Sequence, residues 1–214
     1  MEKFIDMAFL ICQGAVVTLE IFCITLILAI PIGALAALGR LSKFKPLSYL
    51  MEFYVWIMRG TPLMLQLLFV YFALPMVGLK LPDIAAALLA FTLNYAAYFA
   101  EIFRAGLQAI PRGQFEAAQV LGLSHWHTMK RIVFPQVLRI VLPPISNETI
   151  NLVKDTSLIY ILAMNDLLRV ARTIVQREFD MTPFVIAGIF YLAMTAVLTW
   201  AFKKLEAYYG KYDA

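Results

Sequence analysis

The sequence predicts an all-α integral membrane protein of about five transmembrane helices, with a short helix standing in one charged loop. Three observations carry that prediction. Hydrophobic residues make up 62% of the chain and charged residues 15%, with a mean hydropathy of +0.79, whereas a soluble domain carries closer to about a quarter charged residues. Several apolar runs reach or exceed the ~20 residues that cross a bilayer as a helix. The charges gather at the ends of those runs, where lysine and arginine flank spans. The net charge of +4 therefore speaks for membrane lipid as the neighbour and not for nucleic acid. Residues 1–214 read as a single transmembrane domain.

The first span covers residues 8–39 and holds one charge, Glu20, at an interfacial position. It is longer than a crossing requires, so its first turns lie in the interface, and Pro31 and Gly33 bend or loosen its second half. Cys12 and Cys23 fall in this run, about 16 Å apart at 1.5 Å per residue. That is too far to pair, and both are predicted as packing residues. Glu2, Lys3 and Asp6 make a poor basic leader, and the run behind them is long enough to span, so no cleaved signal peptide is expected.

Arg40, Lys43 and Lys45 precede a second span, residues 47–79, punctuated at Arg59-Gly60-Thr61-Pro62. There Thr61 is placed to cap a helix and Pro62 to start it. Pro75, Gly78 and Pro82 make the next turn, and Asp83 opens a third span, residues 84–108, interrupted by Thr92, Asn94, Glu101 and Arg104. Glu101 and Arg104, at i and i+3, are expected to pair near one membrane boundary. Pro111 ends this helix.

The charged loop, residues 111–131, has a readable local code. Glu116 lies early in a short helix, where a carboxylate suits the positive helix end, and Gly122 lies where a left-handed cap closes it. Ala117 and Ala118 leave one face nearly bare for another surface. Ser124 is placed to cap a second short helix carrying Trp126, Met129 and Lys130. Residues 135–165 form the fourth span, broken by Pro143-Pro144 and the weakest by hydropathy. A polar loop with Asp166, Arg169, Arg172, Arg177, Glu178 and Asp180 leads to the fifth, residues 183–204, closed by Lys203 and Lys204.

Five spans put the termini on opposite sides. The first and third loops and the C-terminal end carry the basic excess, so the N-terminus is expected outside and the charged loop and C-terminus in the cytoplasm.

No G-x-x-x-x-G-K-[ST], H-E-x-x-H or G-x-S-x-G occurs, which excludes the usual signals for nucleotide binding, zinc hydrolysis and nucleophilic catalysis on this chain. His125 and His127 have no acidic or cysteine neighbour, so no metal site is expected. They face solvent or a partner.

Glu116-Ala117-Ala118 with Gly122, Ile132 and Pro135 resembles the "EAA" coupling loop of ABC importer permeases. Arg59-Gly60-Thr61-Pro62, Glu101-Ile102-Phe103-Arg104, Ile110-Pro111-Arg112-Gly113-Gln114 and Lys154-Asp155-Thr156-Ser157-Leu158 look like the polar amino-acid uptake subfamily. The likeness covers residues 10–205. It implies a type I importer permease fold, with Glu116, Ala117, Ala118 and Gly122 as the coupling residues. It also implies a second permease copy, identical or related, and a cytoplasmic ABC ATPase dimer docked on residues 112–130. An extracytoplasmic solute-binding protein would deliver an amino-acid substrate. No cofactor is expected on this chain, since ATP and magnesium belong to the ATPase, and the chain itself is expected not to be an enzyme.

Polar residues inside spans are costly and commonly face a cavity. Glu148, Asn151 and Asp155 fall at i, i+3 and i+7, on one helical face, beside the carbonyls that Pro143-Pro144 can free. They are candidate substrate-binding residues, together with Thr61 and Asn94. Asp155 has a structural alternative, pairing with Lys154 or an arginine elsewhere, and Asn94 has another, bonding a neighbouring helix. The start of the helix after Thr61 either attracts an α-carboxylate or is a packed kink. Two acids in one cavity favour a cationic side chain, hence a basic amino acid, arginine before lysine or histidine. An ATP-independent secondary carrier or channel, using the same acids as an ion relay, is the alternative.

Overall fold

The computed structural model describes the backbone of residues 2–210 and the side chains from Phe4 onward; the side chains of Glu2 and Lys3, weighed above against a leader, lie outside the described residues. Helix α1 (Glu2–Arg40) runs unbroken through Pro31. Helix α2 (Lys45–Gly60) meets α3 (Leu63–Leu68) at a bend of 105°. A π-helical turn, Phe69–Ala73, carries α3 into α4 (Leu74–Met76). Next come α5 (Asp83–Gln108), α6 (Arg112–Val120) and α7 (His125–Thr128). Helix α7 passes through a π-helical turn, Met129–Val133, into α8 (Phe134–Asp155), which tightens to a 3-10 stretch at Thr156–Leu162. Helices α9 (Leu167–Glu178) and α10 (Thr182–Gly210) complete the chain.

Among the described residues, α1, α5 and α10 are each long and apolar enough to cross a membrane, and α2 with α3–α4 makes a fourth crossing if the bent pair is one span. Helix α8 is 22 residues long, but Asn147, Glu148, Asn151, Lys154 and Asp155 lower its hydropathy below the others.

Helix α5 is the centre. It packs most extensively on α1 and also against α2 and α8, and Phe91 and Phe99 on it are fully buried beside Ile21, Leu67 and Leu152. The α1–α5 crossing is close because Gly33 faces it. A Cβ there would stand 2.7 Å from the Phe99 Cβ and 2.8 Å from the Ala96 carbonyl oxygen. Gly33 is thus the notch of a helix contact and not a loosened turn. Overpacking of this kind costs about 1–3 kcal/mol, and one obstacle here is backbone. Gly33→Leu is therefore expected to lower the melting temperature of the purified protein by several degrees; an unchanged melting curve contradicts the close contact.

Three local expectations are corrected. The polar loop after the fourth span is mostly helix α9. Asp166 caps it, accepting from the amides of Leu168 and Arg169 at 3.1 Å each, and Leu167, Ala171 and Ile174 are buried with Met7, Ile11 and Ile186. Its arginines sit on the other face of an amphipathic helix, a 3.6-residue pattern that counting charges alone hides. The second small helix of the charged loop is continuous with α8. Cys12 and Cys23 are exposed on α1 and lie outside the packed interior of this chain.

Candidate functional site

Helix α8 brings Glu148, Asn151 and Asp155 to one side of a cavity of about 490 Å³. Thr61, Pro62, Leu63 and Met64 close it from the α2–α3 break, and Asn94, Tyr95 and Tyr98 from α5. All five predicted substrate-binding residues thus line one space. A roomier groove of about 530 Å³ between α1, α2 and α5 is lined almost wholly by apolar side chains and offers a polar ligand little.

Within the cavity the roles differ from residue to residue. Asp155 accepts a 2.7 Å hydrogen bond from the Tyr95 hydroxyl, so a phenol on α5 is its hydrogen-bond partner. One carboxylate oxygen is committed to that bond, and the ring holds the acid in place. Asn94 spends its amide hydrogens on structure, donating to the Met58 carbonyl at 2.9 Å and to Gln66 Oε1 at 3.0 Å. Gln66 in turn donates to the Met58 carbonyl at 2.9 Å and to Thr61 Oγ1 at 2.8 Å. This network ties off the end of α2, whose carbonyls lose their helical partners where the chain turns.

Thr61 departs from its predicted role. Its hydroxyl donates back to the Ile57 carbonyl at 2.8 Å and closes α2; it does not cap α3. Pro62 is the N-cap position of α3, not its first residue. Thr61 therefore offers no support for an anion seat at that helix start.

Towards the charged loop, Glu101 forms an ionic cluster. Arg104 grips it through both Nη2 and Nε, the latter at 3.2 Å, and Arg40 from the end of α1 bonds the same carboxylate. Arg59 approaches to 3.9 Å and stacks over Tyr98, 5.3 Å from the ring centroid. The Glu101–Arg104 pair was legible from its spacing, but Arg40 and Arg59 come from distant segments. Tyr95 and Tyr98 were also missed. One signal was available: Asn94, Tyr98 and Glu101 are spaced i, i+4 and i+7, a single stripe along α5.

The coupling segment folds much as its local code requires. Helix α6 ends before Gly122, whose φ of +69° is the left-handed cap. Ser124 accepts from the His127 amide at 3.4 Å, and the His127 ring is held 2.8 Å from its hydroxyl. Glu116 and Ala117 are exposed, whereas Ala118 is buried, with 1% exposed. The bare face expected of both alanines therefore divides, with Ala118 turned into the protein and Ala117 outwards. Val120, Leu121 and Trp126 are exposed on the same segment. Gln114 and Gln136 hydrogen-bond side chain to side chain at 3.2 and 3.3 Å and tie α6 to α8. Among the described residues, no cluster of metal-binding side chains occurs.

The all-helical bundle thus carries a capped charged segment and a cavity lined by Glu148 and Asp155. Residues 29–209 match the family of binding-protein-dependent transport system inner membrane components. The chain belongs to this family. It is 37% identical over 201 residues to the probable amino-acid ABC transporter permease protein YckA of Bacillus subtilis, covering 94% of this chain and 89% of that protein. It is 36% identical to the arginine transport system permease protein ArtQ of the same organism, covering 92% and 90%. A crystal structure of an amino acid ABC transporter with histidines superposes with a TM-score of 0.89 at 31% identity, over 96% of each chain. The chain is thus an ABC importer permease subunit of the inner membrane, with the type I importer fold, and ATP hydrolysis resides on a separate subunit. Membership sets aside the ATP-independent carrier, and it implies an ATPase and a binding protein as companions.

Proposed function

We propose that this permease imports basic amino acids, arginine first, and that the acidic cavity holds the substrate in transit. One observation carries the reading: Glu148 and Asp155 face a single polar cavity in the membrane domain. Carboxylates take a guanidinium through paired, charge-assisted hydrogen bonds, and two of them disfavour an acidic substrate.

In this reading, α8 is the fifth crossing. The N-terminus lies outside, and the C-terminus and residues 112–130 lie in the cytoplasm. Five spans are too few to enclose a path, so two permease copies pair about a two-fold axis. A cytoplasmic ATPase dimer, carrying ATP and magnesium, seats on α6 at Glu116 and Ala117, beside the exposed Val120 and Leu121. An extracytoplasmic solute-binding protein delivers the amino acid to the opposite face. Closure of the ATPase dimer moves α6, and the bundle shifts between two states biased by nucleotide and ligand. The test is substrate-stimulated ATP hydrolysis by the assembled transporter with its binding protein. Arginine is expected to stimulate at concentrations where glutamate and glutamine do not; stimulation by glutamate or glutamine without arginine overturns the reading.

A further inference from the structure

A second cavity of about 400 Å³ lies directly below the first on the side of the charged segment, lined by Arg59, Glu101, Ala109, Ile140 and Pro144. Along α5 the lining moves from Asn94 in the upper cavity to Ala109 in the lower, and along α8 from Asp155 back to Ile140. Both displacements are about 22 Å of helix at 1.5 Å per residue. Both run towards α6.

Two side chains, Tyr98 and Glu148, belong to the linings of both cavities. Tyr98 stands at the junction with the Arg59 guanidinium laid over its ring. Of the three arginines around Glu101, Arg59 is the most weakly held. Its nitrogen is 3.9 Å from the carboxylate, while Arg40 and Arg104 make direct hydrogen bonds. It is also the most exposed, 41% against 16% and 24%. Arg59 occupies the last turn of α2, immediately before the 105° break, where a change in the bend displaces it most.

We propose that Tyr98, with Arg59 over its ring and latched to Glu101, is the barrier between the substrate cavity and the route to the coupling end, and that it opens when Arg59 leaves Glu101. Glu148 faces the lower cavity with Arg59 and is a carboxylate to which the arginine can turn once it lets go. The proposal rests on the preceding section only in taking the upper cavity as the substrate's.

The test is thiol accessibility in the complete transporter, reconstituted in liposomes, with Cys12 and Cys23 replaced by serine. Leu158→Cys reports on the upper cavity and Ala109→Cys on the lower, and a bulky membrane-impermeant maleimide is supplied only on the side of the charged segment. With the barrier intact, Ala109→Cys should react at least about tenfold faster than Leu158→Cys. Adding Tyr98→Ala should raise the Leu158→Cys rate at least about tenfold without changing that of Ala109→Cys. Tyr98→Phe should leave both as they were, and Arg59→Gln should raise the Leu158→Cys rate to an intermediate value. An equally fast reaction at both positions in the parent protein overturns the proposal, as does an unchanged Leu158→Cys rate in Tyr98→Ala. Should Tyr98→Ala fail to assemble, the Arg59→Gln rate decides. No substrate enters this assay, so a transporter indifferent to arginine but with the expected labelling would refute the substrate reading and leave the barrier standing.

Discussion

Replacing Glu148 with glutamine should raise the arginine concentration giving half-maximal ATPase stimulation by about 10- to 100-fold. A hydrogen bond to a charged group contributes about 1.5–3 kcal/mol, and every 1.4 kcal/mol is about tenfold in affinity. Glutamine keeps the length and one acceptor of the side chain but removes the charge, so the loss reports electrostatics and not volume. Glu148 is the more informative of the two acids because Asp155 already accepts the Tyr95 hydroxyl; removing Asp155 also strands that phenol. Glu148→Asp should recover part of the response. The measurement is a titration of ATP hydrolysis by arginine and by lysine with the binding protein present. Unaltered titrations would refute the role of Glu148, and so would an equal loss for an uncharged amino acid that the wild-type transporter accepts.

Changes at Glu116 should behave in the opposite way, acting on every substrate alike. Glu116 is exposed on α6 and distant in sequence from the cavity residues, and it lies on the segment proposed to receive force from the ATPase. Glu116→Ala is expected to reduce substrate transported per ATP hydrolysed by about tenfold or more, the scale of losing one charge-assisted contact at an interface. Gly122→Val should show the same pattern, because a side chain at φ +69° is strained by about 1–2 kcal/mol and misdirects the turn into Ser124. The measurement is the ratio of uptake to hydrolysis in liposomes for two different substrates. A loss confined to one substrate, or a normal ratio in both variants, would remove α6 from the coupling path.

Much of the bundle was visible in the residues themselves. The runs beginning near Ala8, Asp83 and Pro183 form helices because their apolar stretches exceed a crossing length and end in recognisable breaks. The left-handed cap at Gly122 and the capping hydroxyl of Ser124 are equally local, each decided within four residues of chain. The arginines of α9 mask its helical period in the sequence, although Leu167, Ala171 and Ile174 carry that period on the buried face. The five residues that the sequence singles out line one cavity, since polar groups inside apolar runs stand out. Their partners were not visible, because Tyr95 meets Asp155 across 60 residues and Asn94 meets Met58 across 36.

Residues alone were enough to show that this chain belongs in a membrane, that its charged segment is a capped helical turn, and that Glu148, Asn151 and Asp155 share one helical face. Those outcomes follow from hydropathy, helical period and backbone geometry, which act over a few residues. It took tertiary packing to show that Thr61 closes a helix instead of opening one, that Ala118 turns inwards, and that Arg40 and Arg59 join Arg104 at Glu101. It alone stacked two cavities around Tyr98. Such choices depend on which helix faces pack against one another, and a hydrogen bond or ion pair between distant segments exists only once that packing has set them side by side.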